Sequence, residues 1–88
     1  MELPVGRRLK QDNPYKAASA RLGTTVRKYR QQLSWSQQRL ADQAGVSYAT
    51  IRALETGVTQ DPGVFTLLAL ADALQVPLAD LVTTLDTG

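Results

Sequence analysis

Eighty-eight residues, 43% of them apolar, with a net charge of +2, suffice for one small domain with a helical core and leave little for a second. Neither cysteine nor histidine occurs, which excludes disulfides, thiolate metal sites and the commonest general base, so no metal or cofactor is expected. No apolar run approaches the ~20 residues that cross a bilayer, and residues 1–6 lack the charged start and apolar stretch of a secretory signal; a cytoplasmic protein with no membrane partner is expected.

Residues 1–16 read as a basic N-terminal arm. Pro4, Gly6, Asn13 and Pro14 interrupt any long helix, while Arg7, Arg8 and Lys10 supply charge. Eight of the ten Lys/Arg fall in residues 1–30 against only Glu2 and Asp12. That stretch therefore carries +6 and the rest of the chain −4, the asymmetry of a protein that turns one region toward a polyanion. A solvated tail with no partner has the same pattern. The arm either settles on phosphates when DNA is present or is an inert extension.

Residues 17–86 read as the domain. Its first helix is expected from Tyr15 or Ala17 to Leu33, because Leu22, Val26, Tyr29 and Leu33 recur on one face. Gly23 weakens that helix, which leaves residues 15–22 open to a separate turn or short helix. Ser34 stands where a glycine stop is expected, and Trp35 is assigned to core packing.

The centre of the chain is Ser36 to Gly57. Ser36 is placed to N-cap a helix carrying Leu40, Ala41 and Ala44 on one stripe, and Gly45 follows where a helix end needs positive φ. Ser47 then caps a second helix whose Ile51 and Leu54 face inward. Two short helices joined by a glycine-containing turn of a few residues make a helix-turn-helix. Ala41 is small where the second helix must cross closely, Val46 plugs the space beneath the turn, and Ile51 fills the angle. An ordinary αα-corner is the competing interpretation.

At about 3.6 residues per turn, Ala49, Arg52, Ala53 and Thr56 point outward, with Tyr48 on the flank. Small side chains around one arginine let a helix sit deep in the major groove, and Arg52 is expected to read guanine O6/N7. Ala49 or Ala53 would touch a thymine methyl. A phosphate contact or a solvated charge is the alternative for Arg52.

Beyond a loop at residues 57–60, Asp61-Pro62 has the form of an N-cap acid before a proline at the first helical position. The expected fourth helix carries Val64, Leu67, Leu68, Ala71 and Leu74 on one stripe and stops at Val76-Pro77. A fifth carries Leu78, Leu81, Val82 and Leu85, a stripe that either closes the core or forms a two-fold dimer contact. The fold class is all-α.

Residues 22–82 resemble the Cro/cI-type (XRE) helix-turn-helix family. The resemblance rests on Val26, Arg30, Ser36-Gln37-Gln38-Arg39-Leu40-Ala41, Gly45-Val46-Ser47, Ile51, Leu54-Glu55-Thr56-Gly57, Pro62, Leu67, Leu70-Ala71, Ala73-Leu74 and Val76. It implies a compact five-helix bundle of lambda-repressor-like type that binds double-stranded DNA as a homodimer on a roughly palindromic operator, its second motif helix in the major groove. By the same resemblance Gln37 would hydrogen-bond a phosphate and brace the recognition helix. Ser47, Tyr48, Ala49, Arg52 and Ala53 would face the groove, Thr56 and the loop after Gly57 would approach the backbone, and Arg30 and Glu55 match a family ion pair. Arg39 and Lys28, with Arg7, Arg8, Lys10 and Arg21, would add phosphate attraction. Ser34 departs from the family's common glycine, and the residues before Leu22 lie outside its pattern.

The expected function is a sequence-specific transcriptional regulator, a repressor in the first instance. The alternative is an antitoxin that represses its own operon and binds a toxin protein through the N-terminal extension or the helix 5 stripe. An enzyme is not expected, since the chain has no Gly-rich phosphate loop and its carboxylates are scattered singly.

Overall fold

The computed structural model describes residues 14–58 and 62–82. Five helices follow in order among them: α1 (Pro14–Gln32), α2 (Gln37–Ala44), α3 (Tyr48–Glu55), α4 (Val64–Leu74) and α5 (Leu78–Val82). The basic arm up to Asn13, Asp61 of the expected helix start and Leu85 of the expected last stripe all lie outside the described residues.

α1 begins on Pro14, where a missing N–H leaves no bond unmade, and it runs unbroken through Gly23. The separate turn left open for residues 15–22 does not form. Gly23 is instead buried at a helix crossing: a Cβ there would collide with the Leu54 carbonyl oxygen and press on the Glu55 backbone. Close approach to the end of α3, and not chain flexibility, is what requires a glycine. Leu33, the last member of the expected α1 stripe, lies past the helix and is exposed.

Four helices end the same way. Trp35, Val46, Val58 and Val76 each donate a backbone N–H to the carbonyl five residues earlier, at 3.0–3.1 Å, and the residue before each donor is left-handed: Ser34, Gly45, Gly57 and Gln75, with φ between 59 and 78°. This is the Schellman closure. Ser34 thus adopts the conformation that the family's usual glycine would have. At the N-termini, the Ser36 hydroxyl accepts from the Arg39 N–H and the Ser47 hydroxyl from the Thr50 N–H, both at 3.0 Å.

α4 starts two residues later than expected. Gly63, at φ 84°, is the N-cap and its carbonyl takes the first helical bond from Leu67; Pro62 stays outside the helix because a positive φ just after it interrupts the helical path. The buried face also differs. Leu70, Ala71 and Leu74 enter the core, while Val64 and Leu68 of the expected stripe turn outward beside an 82%-exposed Phe65. Only Thr66 and Asp72 are polar in α4, so its composition leaves the inward direction to be fixed by packing against α2 and α5.

The core joins all five helices: Leu22 and Val26 of α1, Leu40 and Ala41 of α2, Ile51 and Leu54 of α3, the three α4 residues and Leu81 of α5. Leu81 has no exposed surface. Of the two roles expected for the α5 stripe, Leu81 serves core closure, and its side chain is not available to a dimer contact. Leu78 and Val82 are half-buried.

Candidate nucleic-acid interface

α2, the turn at Gly45 and α3 form the helix-turn-helix. Ala41 is buried at the α2–α3 crossing, Ile51 fills the angle with no exposed surface, and Val46 packs against the core from the turn. Gly45 has open space around its Cβ position, so its φ of 72° alone selects glycine.

The inner side of α3 is fastened by charge. Arg30 grips Glu55 with two parallel bonds, Nε to Oε2 at 2.7 Å and Nη2 to Oε1 at 3.0 Å, and its Nη1 donates to the Trp35 carbonyl at 2.7 Å. Gln37 adds a third bond to the carboxylate, Nε2 to Oε1 at 3.0 Å. The Glu55 side chain is 3% exposed and that of Arg30 12%. A carboxylate on the last residue of a helix faces the negative end of the dipole, and the guanidinium offsets that penalty. The hydrogen bond to Glu55 raises the Arg30 pKa above the ordinary arginine value, desolvation opposes it, and the charge of Glu55 adds to the rise. The Arg30–Glu55–Gln37 network thereby ties α1, the turn after it, the start of α2 and the end of α3 together.

The outer side of α3 carries Tyr48, Ala49, Arg52, Ala53 and Thr56. The Arg52 guanidinium lies 5.9 Å from the centre of the Tyr48 ring, within cation–π range. Arg39 rests similarly over Trp35, at 5.4 Å. The Ser47 hydroxyl is shared between the Thr50 N–H and the Thr50 hydroxyl. Thr56 donates its hydroxyl proton to the carbonyls of Arg52 and Ala53, at 2.9 and 3.1 Å. In that rotamer it offers an approaching phosphate no donor. Lys28 lies exposed on α1.

The Gln37 bond to Glu55 is the brace on the recognition helix that the resemblance implies. Three features escaped the sequence: Tyr48 lies beside Arg52, Gly23 admits α3, and Val58, placed in a loop expected to approach the DNA backbone, lines the outer face with Ala49, Arg52, Ala53 and Thr56. Of these only Val58 left a readable signal, since an apolar residue directly after a left-handed glycine often packs back on its helix. Among the described residues no cluster of acids could hold a metal ion, and no helix is long and apolar enough to cross a membrane.

Two comparisons bear on this geometry. Residues 26–81 match the pattern of the helix-turn-helix family, a span that begins in the middle of α1 and ends in α5. The chain is also 39% identical over 62 residues to the HTH-type transcriptional regulator SutR of Escherichia coli (strain K12). That alignment covers 70% of this chain and 34% of the relative, so the chain spans about a third of the length of the protein it matches. With the motif helices, their left-handed turn and the Arg30–Glu55 tie all inside the matched span, the protein belongs to the Cro/cI-type helix-turn-helix family.

Proposed function

We propose that the protein is a sequence-specific, double-stranded-DNA-binding transcriptional regulator, a repressor that acts as a homodimer on a palindromic operator. The observation that carries this is α3 itself. Its inner side is locked by the Arg30–Glu55–Gln37 network, while its outer side presents one arginine among small side chains, the shape a major groove admits. Tyr48, Ala49, Arg52 and Ala53 meet base edges. Gln37, Ser47, Thr56, Arg39 and Lys28 meet phosphates, Thr56 after its hydroxyl swings outward. The two copies meet through the outer edge of α5, where Leu78 and Val82 retain exposed surface; Leu85, named with them from the sequence, lies outside the described residues.

The test is selection of bound fragments from the source genome at near-physiological salt with excess competitor DNA. Recovery of one palindromic site, with affinity falling steeply as salt rises, is the expected result. Flat recovery that vanishes with salt would reduce the interaction to phosphate attraction. The antitoxin reading keeps every DNA contact and adds a toxin; exposed Val64, Phe65 and Leu68 on α4 favour it as a surface such a partner would cover. It expects the product of a neighbouring gene to co-purify, whereas a stable homodimer alone counts against it.

A further inference from the structure

The outer side of α3 is more than an arginine on a smooth helix. Ala49 and Ala53 stand one turn apart, and together with Arg52, Thr56 and Val58 they line a shallow depression of about 280 Å³. Val58 lies outside the helix but is not loosely held. Gly57 turns the chain at φ 78°, its N–H bonds to the Leu54 carbonyl at 3.1 Å, and the Val58 N–H bonds to the Ala53 carbonyl at 3.0 Å. Val58 is nevertheless 72% exposed. A branched apolar side chain on a backbone held in that way, beside two alanine methyls, forms an apolar dish at the C-terminal end of α3.

The dish has little hydrogen-bonding character of its own. Thr56 points its hydroxyl back into the helix, and the N–H groups of residues 56–58 are all bonded to carbonyls of α3. Arg52 is the charged member of the lining, and its guanidinium leans toward Tyr48 at the N-terminal end. Donor and dish are therefore separated along the helix axis, the fork toward the start of α3 and the methyl surface toward its end. On a major-groove edge the one apolar group is the C5-methyl of thymine; the other bases present donors and acceptors.

We infer that Val58, with Ala49 and Ala53, reads the C5-methyl of a thymine stacked next to the guanine that Arg52 reads. Val58 is then a specificity residue, and the half-site contains a thymine–guanine step. This rests on the proposed major-groove role of α3. With Arg52 leaning toward Tyr48 and the Thr56 hydroxyl turned into the helix, the floor of the dish offers an occupant methyl groups.

The experiment takes the half-site recovered by fragment selection and replaces each thymine singly by uracil and each guanine by 7-deazaguanine. Dissociation constants are read by fluorescence anisotropy for the wild-type chain, Val58→Ala and Arg52→Ala. One thymine should lose about fourfold on conversion to uracil, the ratio that burial of one methyl supplies. That thymine should adjoin the guanine whose 7-deaza sensitivity disappears in Arg52→Ala. In Val58→Ala the thymine-to-uracil loss should shrink to less than twofold with the 7-deaza effect intact. Should no thymine respond while the guanine does, the dish is overturned and the Arg52 readout survives. A thymine response unchanged in Val58→Ala overturns the assignment to Val58. If neither base responds and no specific site is recovered, the major-groove reading itself falls, and the methyl contact with it.

Discussion

The two sides of α3 are built on opposite principles. On the inner side every group is committed: Ile51 and Leu54 are sealed in the core, and Glu55 accepts three hydrogen bonds from two other side chains. On the outer side Ala49 and Arg52 are exposed, and Arg52 has an aromatic ring to lean on and no carboxylate within salt-bridge distance among the described residues. The difference teaches how an eight-residue helix becomes a reading head. It is too short to be stable alone, so its position comes from the inner contacts, and its outer residues are left to serve a ligand. Stability and recognition should accordingly separate by side.

The largest expected effect is on the inner side. Glu55→Ala leaves the Arg30 guanidinium buried without its carboxylate, which costs on the order of 3 kcal/mol, and the melting temperature should fall by roughly 10–20 °C. Replacing Arg30 and Glu55 together by apolar residues of similar volume should lose far less; a double variant as unstable as the single would break the account of Glu55 as the tie. Because the Arg30 pKa is raised, the guanidinium's share of this stability is fully present below the ordinary arginine pKa. It is lost only as pH rises through the raised value.

Gly23→Ala comes next. In an exposed helix interior that change stabilises by about 1 kcal/mol. Here the new methyl meets the Leu54 carbonyl, and we expect a destabilisation of roughly 1–3 kcal/mol in urea titration, with DNA affinity reduced because α3 is displaced. A stabilised Gly23→Ala protein would show that the α1–α3 crossing is looser than its geometry requires.

Arg52→Ala should reverse the pattern. Binding to the preferred operator should weaken by about 1–3 kcal/mol with loss of base preference at one position, while the urea midpoint shifts by no more than about 0.5 kcal/mol equivalent. A variant that keeps its preference at every operator position would leave Arg52 a phosphate contact. Smallest is Ser34→Gly, which touches neither side of α3. Serine is strained at φ 59°, and glycine there should stabilise by roughly 0.5–1 kcal/mol, seen as a higher urea midpoint with unchanged operator affinity.

The sequence by itself determined the motif. Ser36, Gly45, Ser47 and Gly57 are local signals, each acting through its own hydroxyl or its own φ, so capping and turning were legible without tertiary contacts. The inward pair Ile51 and Leu54 was equally legible, because α3 mixes apolar and polar residues in a helical period, and the resemblance supplied the Arg30–Glu55 pairing. Only the tertiary structure decided the rest. α4 is apolar nearly all round, so its neighbours chose Leu70 over Val64 and Leu68 for the core. Gly23 reads locally as a weak point and is required by a backbone more than thirty residues away. The α5 stripe allowed a core or a dimer role for Leu81, and packing against the other helices settled that residue in the core. Periodicity and capping are properties of neighbours in sequence, whereas the direction a uniform helix faces and the space at a crossing belong to pairs of helices.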